Sequence, residues 1–347
     1  MLVNRIIQEE REKKYLSRLA ALSSNTMGRQ FPEPECEYRN AFQRDRDRIL
    51  HSKAFRRLKH KTQVFISPEG DHFRTRLTHV LEVSQIARTC ARILSLNEDL
   101  VEAISLGHDL GHTPFGHIGE DVLNKLLPPF SHEEQSLRVV DILEKRDGKG
   151  FGLNLTRETR DGILRHSIND EIRPITQEGL LVRYCDKISY ICHDLDDAVR
   201  AGLLKYDDLP LFVKEIGKTH SERIDTLIRL IIDGFDQKEG FLENEKFIEI
   251  IKNLRDFMMQ KIYSAEVLRR EEEKVTRMFN FIIEYLKSNL SLIPNLPEVY
   301  GKSVFDSETV DTAIKDYISG MTDSYIVLYF ERNFLPASWP LNPSSSL

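Results

Sequence analysis

Cysteine is scarce in this sequence, and its spacing excludes the common cysteine-based frameworks. The four cysteines are Cys36, Cys90, Cys185 and Cys192, and no two of them form a C-x-x-C pair. Scattered thiols argue against both a disulfide framework and a structural zinc site. We expect them to be reduced and buried, as in a cytoplasmic protein.

Long apolar runs and an excess of positive charge are also missing. No stretch approaches the roughly 20 apolar residues that a membrane helix requires, and residues 1–16 lack the apolar core of a signal peptide. A net charge of −6 argues against a protein that binds polyanions over its whole surface. These absences predict a cytoplasmic protein without a membrane anchor, in which any anion site is a local patch.

What the chain does contain is helical periodicity. The 210–294 segment has no proline between its ends and is rich in Ile, Leu, Glu and Lys, which indicates several long helices. Residues 1–22 predict an amphipathic helix docked by its apolar face. Residues 145–156 are the best candidate for an irregular loop or a small hairpin, the hairpin near 148–156. No composition break divides residues 1–335, so we predict one all-α domain, followed by a disordered tail at 336–347.

Histidines are concentrated in one part of the chain. Eight of the 11 lie within the 82 residues from His51 to His132, where an even spread over 347 residues would place about 2.6. His79 lies on the apolar stripe of a predicted helix over 74–96. Its neighbours at helical spacing are Val83, Ile86, Cys90 and Ile93. Taken alone, this position is more typical of a hydrogen-bonded core histidine than of a metal ligand.

His108 and Asp109 are adjacent at the end of the next predicted helix, 97–110. His108 continues an apolar stripe, and an aspartate on this inner side is costly unless it pairs or binds a cation. Neutral imidazole and carboxylate together suit a divalent metal. Two adjacent side chains reach one ion only where the helix stops, and Gly111 and Pro114 predict that stop.

A third predicted helix offers another carboxylate. Asp186, Tyr190 and Asp194 are spaced four residues apart and therefore share one helical face, with Lys187 beside it. Because a tyrosine is embedded in this face, we interpret it as a wall of ligands. The alternative is a solvated acidic helix.

The segment after His108 and Asp109 predicts a second functional element. Thr113 and Pro114 are typical of the N-cap and first residue of a helix, which puts His117 and Glu120 one turn apart near its start. A carboxylate beside an imidazole orients it and favours a general acid. The alternative is a surface His–Glu pair.

Residues 39–61 form a basic segment in an acidic protein, with nine Lys or Arg against two Asp. One interpretation is a patch that contacts the phosphates of a substrate, an allosteric nucleotide or single-stranded nucleic acid. The other is a set of interhelical and intersubunit ion pairs around Asp45 and Asp47. Aromatic residues are sparse here, so a stacking surface for nucleic acid is not supported.

Five longer strings resemble a known family. They are RDRDRILHSKAFRRLKHKTQVF (44–65), GDHFRTRLTHVLEVSQIART (70–89), NEDLVEAISLGHDLGHTPFGHIGE (97–120), GLNLTRETRDGILRH (152–166) and YISGMTD (317–323). In this order they resemble the deoxyguanosinetriphosphate triphosphohydrolase-like family of the HD superfamily. The resemblance spans roughly residues 5–330, although residues 205–300 carry no motif of it. It implies an HD-type helical bundle with its core at about 70–200 and a helical C-terminal part at about 205–335.

The resemblance also implies a metal site and a reaction. The H…HD…D signature of the superfamily corresponds to His79, His108, Asp109 and Asp186 as ligands of one divalent ion, which is Mn²⁺, Mg²⁺ or Fe²⁺. The implied reaction converts a deoxynucleoside triphosphate to a deoxynucleoside and tripolyphosphate, by attack of metal-activated water at the α-phosphorus.

Further site residues follow from the resemblance together with their chemistry. His117, positioned by Glu120, is expected to protonate the leaving 5′ oxygen, while His112 and His132 line the phosphate path. Ser131 and Glu134 have the spacing of a capping box, which puts His132 at a helix start that favours anions. The residues expected to bind the triphosphate are Arg76 and Lys187, and those expected to bind the deoxyribose are Gln63, Tyr190 and Asp194.

Partners and alternatives complete the expectations. The resemblance implies a homo-oligomer, a tetramer or hexamer, and a second, allosteric nucleotide occurs among relatives, although no sequence feature identifies one here. A 5′-nucleotidase or cyclic-nucleotide phosphodiesterase would use the same kind of metal site. A protein that only binds nucleotides or nucleic acid would keep the metal for structure.

Overall fold

The computed structural model describes residues 2–63, 74–146, 150–167, 172–242, 244–294, 296–300 and 307–336. Within them the chain is helical, which confirms the all-α prediction. The helices are α1 (Arg5–Tyr15), α2 (Ala41–Leu50), α3 (Lys53–Arg57), α4 (Arg76–Leu94), α5 (Glu98–Gly107), α6 (Gly116–Leu126), α7 (His132–Arg138), α8 (Arg157–Leu164), α9 (Gln177–Arg200), α10 (Leu211–Ile216), α11 (His220–Asp233), α12 (Glu245–Met258), α13 (Glu266–Ser288), α14 (Leu296–Tyr300), α15 (Ser307–Ser319) and α16 (Asp323–Phe334). None of the helices in these ranges combines the length and apolar character needed to cross a membrane.

The strands among the described residues form two short antiparallel hairpins. The strands are β1 (Lys145–Arg146), β2 (Gly150–Phe151), β3 (Phe235–Asp236) and β4 (Gly240–Phe241). The first hairpin pairs β1 with β2 and so lies within the predicted 145–156 segment, of which 147–149 lie outside the described residues. The second hairpin, β3 with β4, was not predicted. Most of the predicted tail, 337–347, also lies outside the described residues.

The N-terminal helix is shorter than predicted and is held by polar contacts. α1 has 11 residues, none of them buried, and Ile6 is 59% exposed. The Glu12 carboxylate instead accepts hydrogen bonds from the backbone and hydroxyl of Ser23 and from the Asn40 amide. The expectation that residues 1–22 dock by an apolar face is therefore wrong, because α1 is attached to the body through the polar side chains of Arg5, Gln8 and Glu12.

The largest core lies between α4, α5 and α9, each of which packs on the other two. Its fully buried members include Val83, Val101 and Ile188. Three of the four cysteines belong to this core, whereas Cys36 is only half-buried, contrary to expectation. Polar side chains that face inward from these three helices are consequently held in fixed positions.

The buried face of α4 differs slightly from the predicted stripe. The first three neighbours predicted for His79 are buried, but Ile93 is 55% exposed. At about 100° per residue, the buried side chains of α4 centre on Val83 and Leu94, and Ile93 lies about 100° from that centre. The extrapolated stripe therefore ends one turn too late.

A second core joins the C-terminal helices to α6. Phe115 and Leu123 belong to the same apolar cluster as Phe279 and Ile282 of α13 and Ile318 of α15. The long helices expected after residue 210 are present, with α13 spanning 23 residues. A shared core agrees with one domain over residues 1–335, which stays a prediction.

Candidate metal centre and active site

Four predicted ligands from three helices meet at one point. His79 lies on α4, His108 and Asp109 follow the end of α5, and Asp186 lies in the middle of α9. The His79 Nε2 atom is 3.0 Å from Asp186 Oδ1 and 4.0 Å from Asp109 Oδ2. The His108 Nε2 atom is 3.4 Å from Asp109 Oδ1 and 3.5 Å from Asp186 Oδ1. The metal-site prediction depended on this convergence.

The spacing and chemistry of these donors fit a divalent cation. Octahedral ligands about 2.1 Å from a metal are about 3.0 Å apart when adjacent and about 4.2 Å apart when opposite, and the four separations lie in this range. The Nδ1–H of His108 donates to the Ser105 carbonyl at 2.7 Å, which leaves a lone pair on Nε2. This buried nitrogen has no hydrogen-bond partner, as expected of a metal ligand.

The two carboxylates are ionised in spite of their burial. Burial acts to raise the pKa of Asp109, but His108, His112 and Arg76 outweigh it and hold that pKa well below its usual value. For Asp186, the neighbouring imidazoles of His108 and His79 outweigh burial and lower the pKa in the same way. Two ionised carboxylates are stable in a buried site only beside compensating cations, and a divalent ion is such a cation.

Arg76 connects the metal centre to a cavity. It lies one turn before His79, and its Nη1 donates to Asp109 Oδ2 at 2.8 Å. Its Nε and Nη2 have no hydrogen-bond partner although the residue is only 1% exposed. Gly116, at a φ of +59°, passes close beside it, since a Cβ there would lie 3.0 Å from Nη2. Guanidinium N–H groups of this kind suit phosphate oxygens.

Glu120 is the common partner of three imidazoles. Its carboxylate lies 2.9 Å from Nδ1 of His132, 3.5 Å from Nδ1 of His112 and 3.7 Å from Nδ1 of His117. Burial acts to raise the pKa of Glu120, but these imidazoles hold it well below its usual value. We predicted Glu120 as the partner of His117, whereas its shortest contact is to His132, because α7 begins beside α6 and the His132 backbone N–H also donates to the carboxylate.

His132 is half-buried, and its surroundings favour the imidazolium form. Burial acts to lower its pKa, but Glu120 outweighs burial and raises the pKa to about 9. The Nε2 atom of His132 lies 3.1 Å from Nε2 of His166, whose own Nδ1–H donates to the Ile163 carbonyl. Both N–H groups of His132 therefore have acceptors. Its ring stacks on His112 with centroids 3.8 Å apart, and burial lowers the pKa of His112 well below its usual value.

The loop before α6 is capped differently from the prediction. α6 begins at Gly116 behind Phe115, which has a φ of +64° and occupies the N-cap position. The predicted pair Thr113 and Pro114 is therefore wrong by two residues. The physical reason is distant in sequence, since Asp323 accepts a hydrogen bond from the Phe115 N–H at 3.0 Å.

Further hydrogen bonds connect the C-terminal segment to this loop and to the residues beside it. The Asp323 carboxylate also accepts hydrogen bonds from the backbone and hydroxyl of Thr62. The fully buried Lys61 donates from Nζ to the carbonyls of His112 and Ser319. Burial lowers the pKa of Lys61 to about 7. The string YISGMTD thus acts on the loop that carries the imidazoles.

The residues predicted to contact the deoxyribose fall into two groups. Gln63 and Tyr190 line the cavity, and the buried Oε1 atom of Gln63 has no hydrogen-bond partner. Asp194 does not line it, because its carboxylate accepts a hydrogen bond from the Tyr263 hydroxyl. Tyr263 lines the cavity instead, with its ring parallel to that of Tyr190 and 6.3 Å away. Asp194 therefore reaches the cavity through Tyr263, and burial raises its pKa to about 8.

The cavity has a volume of about 550 Å³ and several cationic side chains on its wall. Arg76 and Lys187, which we expect to bind the triphosphate, line it together with Arg183 and Arg255. The last two were not predicted from the sequence. Arg183 lies three residues before Asp186 on the same side of α9, and this spacing was a usable signal. Arg255 comes from α12, in the region without a recognised motif.

A buried histidine that was not predicted adjoins the metal centre. Nδ1 of His193 lies 3.3 Å from Nδ1 of His79, and its Nε2 lies 2.9 Å from the Glu82 carboxylate. Burial lowers the pKa of His193 to about 4. Its position seven residues after Asp186 puts it on the same helical face, so the periodicity that identified Asp186 could also have identified His193.

The basic segment 39–61 forms ion pairs within the chain. Glu33 pairs with Arg44, Arg48 and Arg146. Burial acts to raise the pKa of Glu33, but hydrogen bonds from Arg48 and its neighbours lower it to about 2. Of the two interpretations of this segment, these contacts favour ion pairs.

Comparison with known proteins places this geometry in a family. The HD domain family matches residues 76–191, and the phosphohydrolase-associated domain matches residues 244–332. Among solved structures, a phosphohydrolase from Bacteroides thetaiotaomicron superposes with a TM-score of 0.49 at 20% identity, over 83% of this chain and 69% of that chain.

Two curated relatives cover nearly the whole chain. A deoxyguanosinetriphosphate triphosphohydrolase-like protein from Caldanaerobacter subterraneus is 52% identical over 96% of this chain and 97% of its own length. A protein of the same name from Clostridium perfringens is 47% identical over 94% of this chain and 96% of its own. The chain therefore belongs to the deoxyguanosinetriphosphate triphosphohydrolase-like family of HD-domain phosphohydrolases.

Proposed function

We propose that this protein hydrolyses deoxynucleoside triphosphates to a deoxynucleoside and inorganic tripolyphosphate, with a divalent metal ion as cofactor. The observation that carries the proposal is the meeting of three features in one cavity of about 550 Å³. These are three of the four metal-type donors, a wall of cationic side chains, and a carboxylate shared by three imidazoles. The names of the relatives support the substrate class.

The metal would be held by His79, His108, Asp109 and Asp186. When bound, a divalent ion lowers the pKa of coordinated water and stabilises charge on a phosphate oxygen. Two imidazoles and two carboxylates suit Mn²⁺, Mg²⁺ or Fe²⁺. The chain itself orients the donors, since Arg76 holds Asp109 at 2.8 Å and the Ser105 carbonyl holds the far side of the His108 ring at 2.7 Å.

The triphosphate would lie against the cationic wall of the cavity. Arg76 offers two N–H groups without protein partners, and Lys187 lies on the same wall. His132 adds a fixed positive charge, because Glu120 and His166 together occupy both of its N–H groups. Such preorganised donors stabilise charge that develops on phosphate oxygens.

His117 is the residue placed to protonate the leaving 5′ oxygen. Its side chain is 48% exposed and lines the cavity, with Nδ1 3.7 Å from Glu120. When the bond from the α-phosphorus to the 5′ oxygen breaks, the departing alkoxide needs a proton, and an imidazolium N–H supplies it. His112 and His132 are buried against one another and lack the freedom to follow the leaving group.

The sugar would lie near Tyr190, Tyr263 and Gln63. The two tyrosine rings are parallel. The unpartnered Gln63 Oε1 would accept a hydrogen bond from a hydroxyl group of the sugar. We keep Asp194 in this group through its hydrogen bond with Tyr263. We further propose the homo-oligomer that the family resemblance implies, which size-exclusion chromatography with light scattering measures directly.

Product analysis tests this proposal. The full-length protein is incubated with each of the four dNTPs and with Mn²⁺, Mg²⁺ or Fe²⁺, and the products are resolved by ³¹P NMR. We expect tripolyphosphate in equal amount to the deoxynucleoside. Release of orthophosphate or pyrophosphate, or turnover of deoxynucleoside monophosphates or cyclic nucleotides alone, would overturn it.

A variant pair separates catalysis from binding. His117→Gln should lower kcat by about 10²–10⁴-fold while Mn²⁺ affinity stays within about threefold, because His117 acts on the leaving group. His51→Gln, at the exposed end of α2, is the matched control and should be unchanged. Equal activity of the two variants would remove His117 from the mechanism.

A further inference from the structure

A second histidine contacts Nδ1 of His79, on the side of the ring opposite the nitrogen that faces Asp186. The Nδ1 atoms of His79 and His193 lie 3.3 Å apart, with the ring planes at 89°. Each residue is only 1% exposed, so the contact is shielded from bulk water. On its far edge, His193 places Nε2 2.9 Å from Glu82 Oε2. A carboxylate, a histidine and a metal-type histidine therefore form one line.

The proton positions along this line follow from the geometry. If His79 is to present a lone pair on Nε2 toward Asp186, its proton must be on Nδ1. That Nδ1–H points at Nδ1 of His193, which must then be an acceptor and carry its own proton on Nε2. The Nε2–H of His193 in turn faces the Glu82 carboxylate. Once His79 presents its Nε2 lone pair as a metal ligand, this arrangement of protons gives a donor and an acceptor to both remaining contacts of the line.

The outer end of the line is anchored. Glu82 lies on α4, three residues after His79, and Arg74 contacts its Oε2 atom at 3.3 Å. Arg74 also pairs with Asp196 and Asp197 of α9. The carboxylate is therefore fixed between the two helices that carry His79 and Asp186, so that it cannot turn away from His193 without breaking these ion pairs.

We propose that Glu82 and His193 are positioning residues of the metal centre, which fix His79 in the Nδ1–H tautomer and so keep its Nε2 lone pair directed at the ion. Partners of metal-bound histidines commonly act in this way, and their loss weakens metal binding by about 10–100-fold. The inference rests on the metal centre of the proposed function, but it does not depend on which nucleotide is the substrate.

Substitutions at position 193 separate the two hydrogen bonds. In His193→Asn the side-chain oxygen replaces Nδ1, so an acceptor for His79 remains while the link to Glu82 is lost. In His193→Gln the amide nitrogen replaces Nε2, so the donor to Glu82 remains while the acceptor for His79 is lost. His193→Phe removes both. The matched control is His220→Phe, because His220 stacks on His193 with centroids 5.5 Å apart and does not contact His79.

Mn²⁺ affinity of the metal-free, full-length protein is the primary measurement, made by electron paramagnetic resonance of the free ion at constant pH and without nucleotide. We expect His193→Phe to weaken Mn²⁺ binding by about 10–100-fold, His193→Gln nearly as much, and His193→Asn least. His220→Phe should stay within about twofold. Thermal melts establish that each variant is folded.

Two results would overturn the inference. One is a folded His193→Phe that binds Mn²⁺ within about twofold of the wild type. The other, decisive if the phenylalanine variant does not fold, is a His193→Gln variant that binds as well as or better than His193→Asn, since a merely structural role does not predict their order. A wild-type protein that binds Mn²⁺ but releases no tripolyphosphate would contradict only the proposed function and leave this inference standing.

Discussion

Two groups of histidines lie side by side at the same cavity, and they differ in the protonation of their imidazole rings. In the metal centre, His79 and His108 donate their outer N–H groups to the protein and turn lone pairs inward. Around Glu120, the nearest imidazole is the doubly protonated His132. The residue type is the same in both groups, and what differs is the partner of the second ring nitrogen.

That difference assigns the roles. A backbone carbonyl or a neutral imidazole behind the ring accepts a hydrogen bond from one ring nitrogen and leaves the lone pair of the other nitrogen for a metal. An ionised carboxylate behind the ring favours the cation, which suits an anionic substrate. The comparison thus predicts that damage to the first group removes the metal, whereas damage to the second removes turnover and leaves the metal bound.

The largest expected effect comes from a ligand of the metal centre. Asp186→Asn removes a negative charge from the donor set, so Mn²⁺ binding should weaken by more than about 100-fold and dNTP hydrolysis should fall below about a thousandth of the wild type. Isothermal titration with Mn²⁺ and a ³¹P NMR assay measure the two effects. The exposed Asp207→Asn is the control. Full metal affinity in Asp186→Asn would contradict the assignment of the first group to metal binding.

A smaller effect is expected from the second group. Glu120→Gln removes the anion that keeps His132 charged, so kcat should fall by about 10²–10³-fold with Mn²⁺ affinity within about threefold. Because the folded pKa of His132 is raised to about 9, the stability from this pair is fully present below about pH 6.5 and lost as the pH rises through 9. The difference in Tm between wild type and variant should therefore be largest near pH 6 and smallest near pH 10. A difference in Tm that stays constant between pH 6 and pH 10 would contradict the pairing of Glu120 with a charged His132.

Next in size is the clamp on the loop between the two groups. Asp323→Asn keeps an oxygen for the Phe115 N–H but turns an amide toward the donors of Thr62, so the loop should loosen. We expect kcat to fall about 10-fold without loss of Mn²⁺ affinity, because His79, His108 and Asp186 are held by other helices. Asp311→Asn, a half-exposed position on α15, is the control. A parallel fall in metal affinity would show that the clamp supports both groups.

The smallest effect on activity, and a clear one on stability, is expected at a buried carboxylate outside both groups. Glu178 accepts hydrogen bonds from the backbone of Ala21 and Asn97, and burial raises its pKa to about 7. The native state then holds a proton that the unfolded state has released above about pH 4.3, so stability falls as the pH rises from about 4.3 to 7.

Glu178→Gln should remove this pH dependence. At pH 8 we expect the variant to be more stable than the wild type by up to about 3 kcal/mol, with a small difference at pH 5 and unchanged kcat. Urea unfolding at the two pH values measures it. Equal destabilisation at both pH values would mean that the burial of Glu178 is not what raises its pKa. The result sharpens the comparison, because Asp109 is similarly buried but stays ionised beside imidazoles and Arg76.

The sequence identified the donors of the metal centre better than it identified their surroundings. His79, Asp186 and Tyr190 each follow a helical periodicity that can be counted along the chain, and the end of α5 at His108 was marked by Gly111. Arg255 could not be predicted in this way, since it reaches the cavity from α12, which has no recognised motif. The direct contact expected of Asp194 failed for a similar reason, because Tyr263 of a distant segment stands in front of it.

By itself, the sequence determined the helical class, most of the buried face of α4 and the residues able to bind a metal. These properties depend on the 3.6-residue repeat and on side-chain chemistry, both of which act over a few residues. Only the tertiary structure decided that Glu120 serves His132 first, that Asp323 caps the loop at Phe115, and that His193 stands behind His79. Each of these is a contact between segments that packing alone brings together, so no local pattern records it.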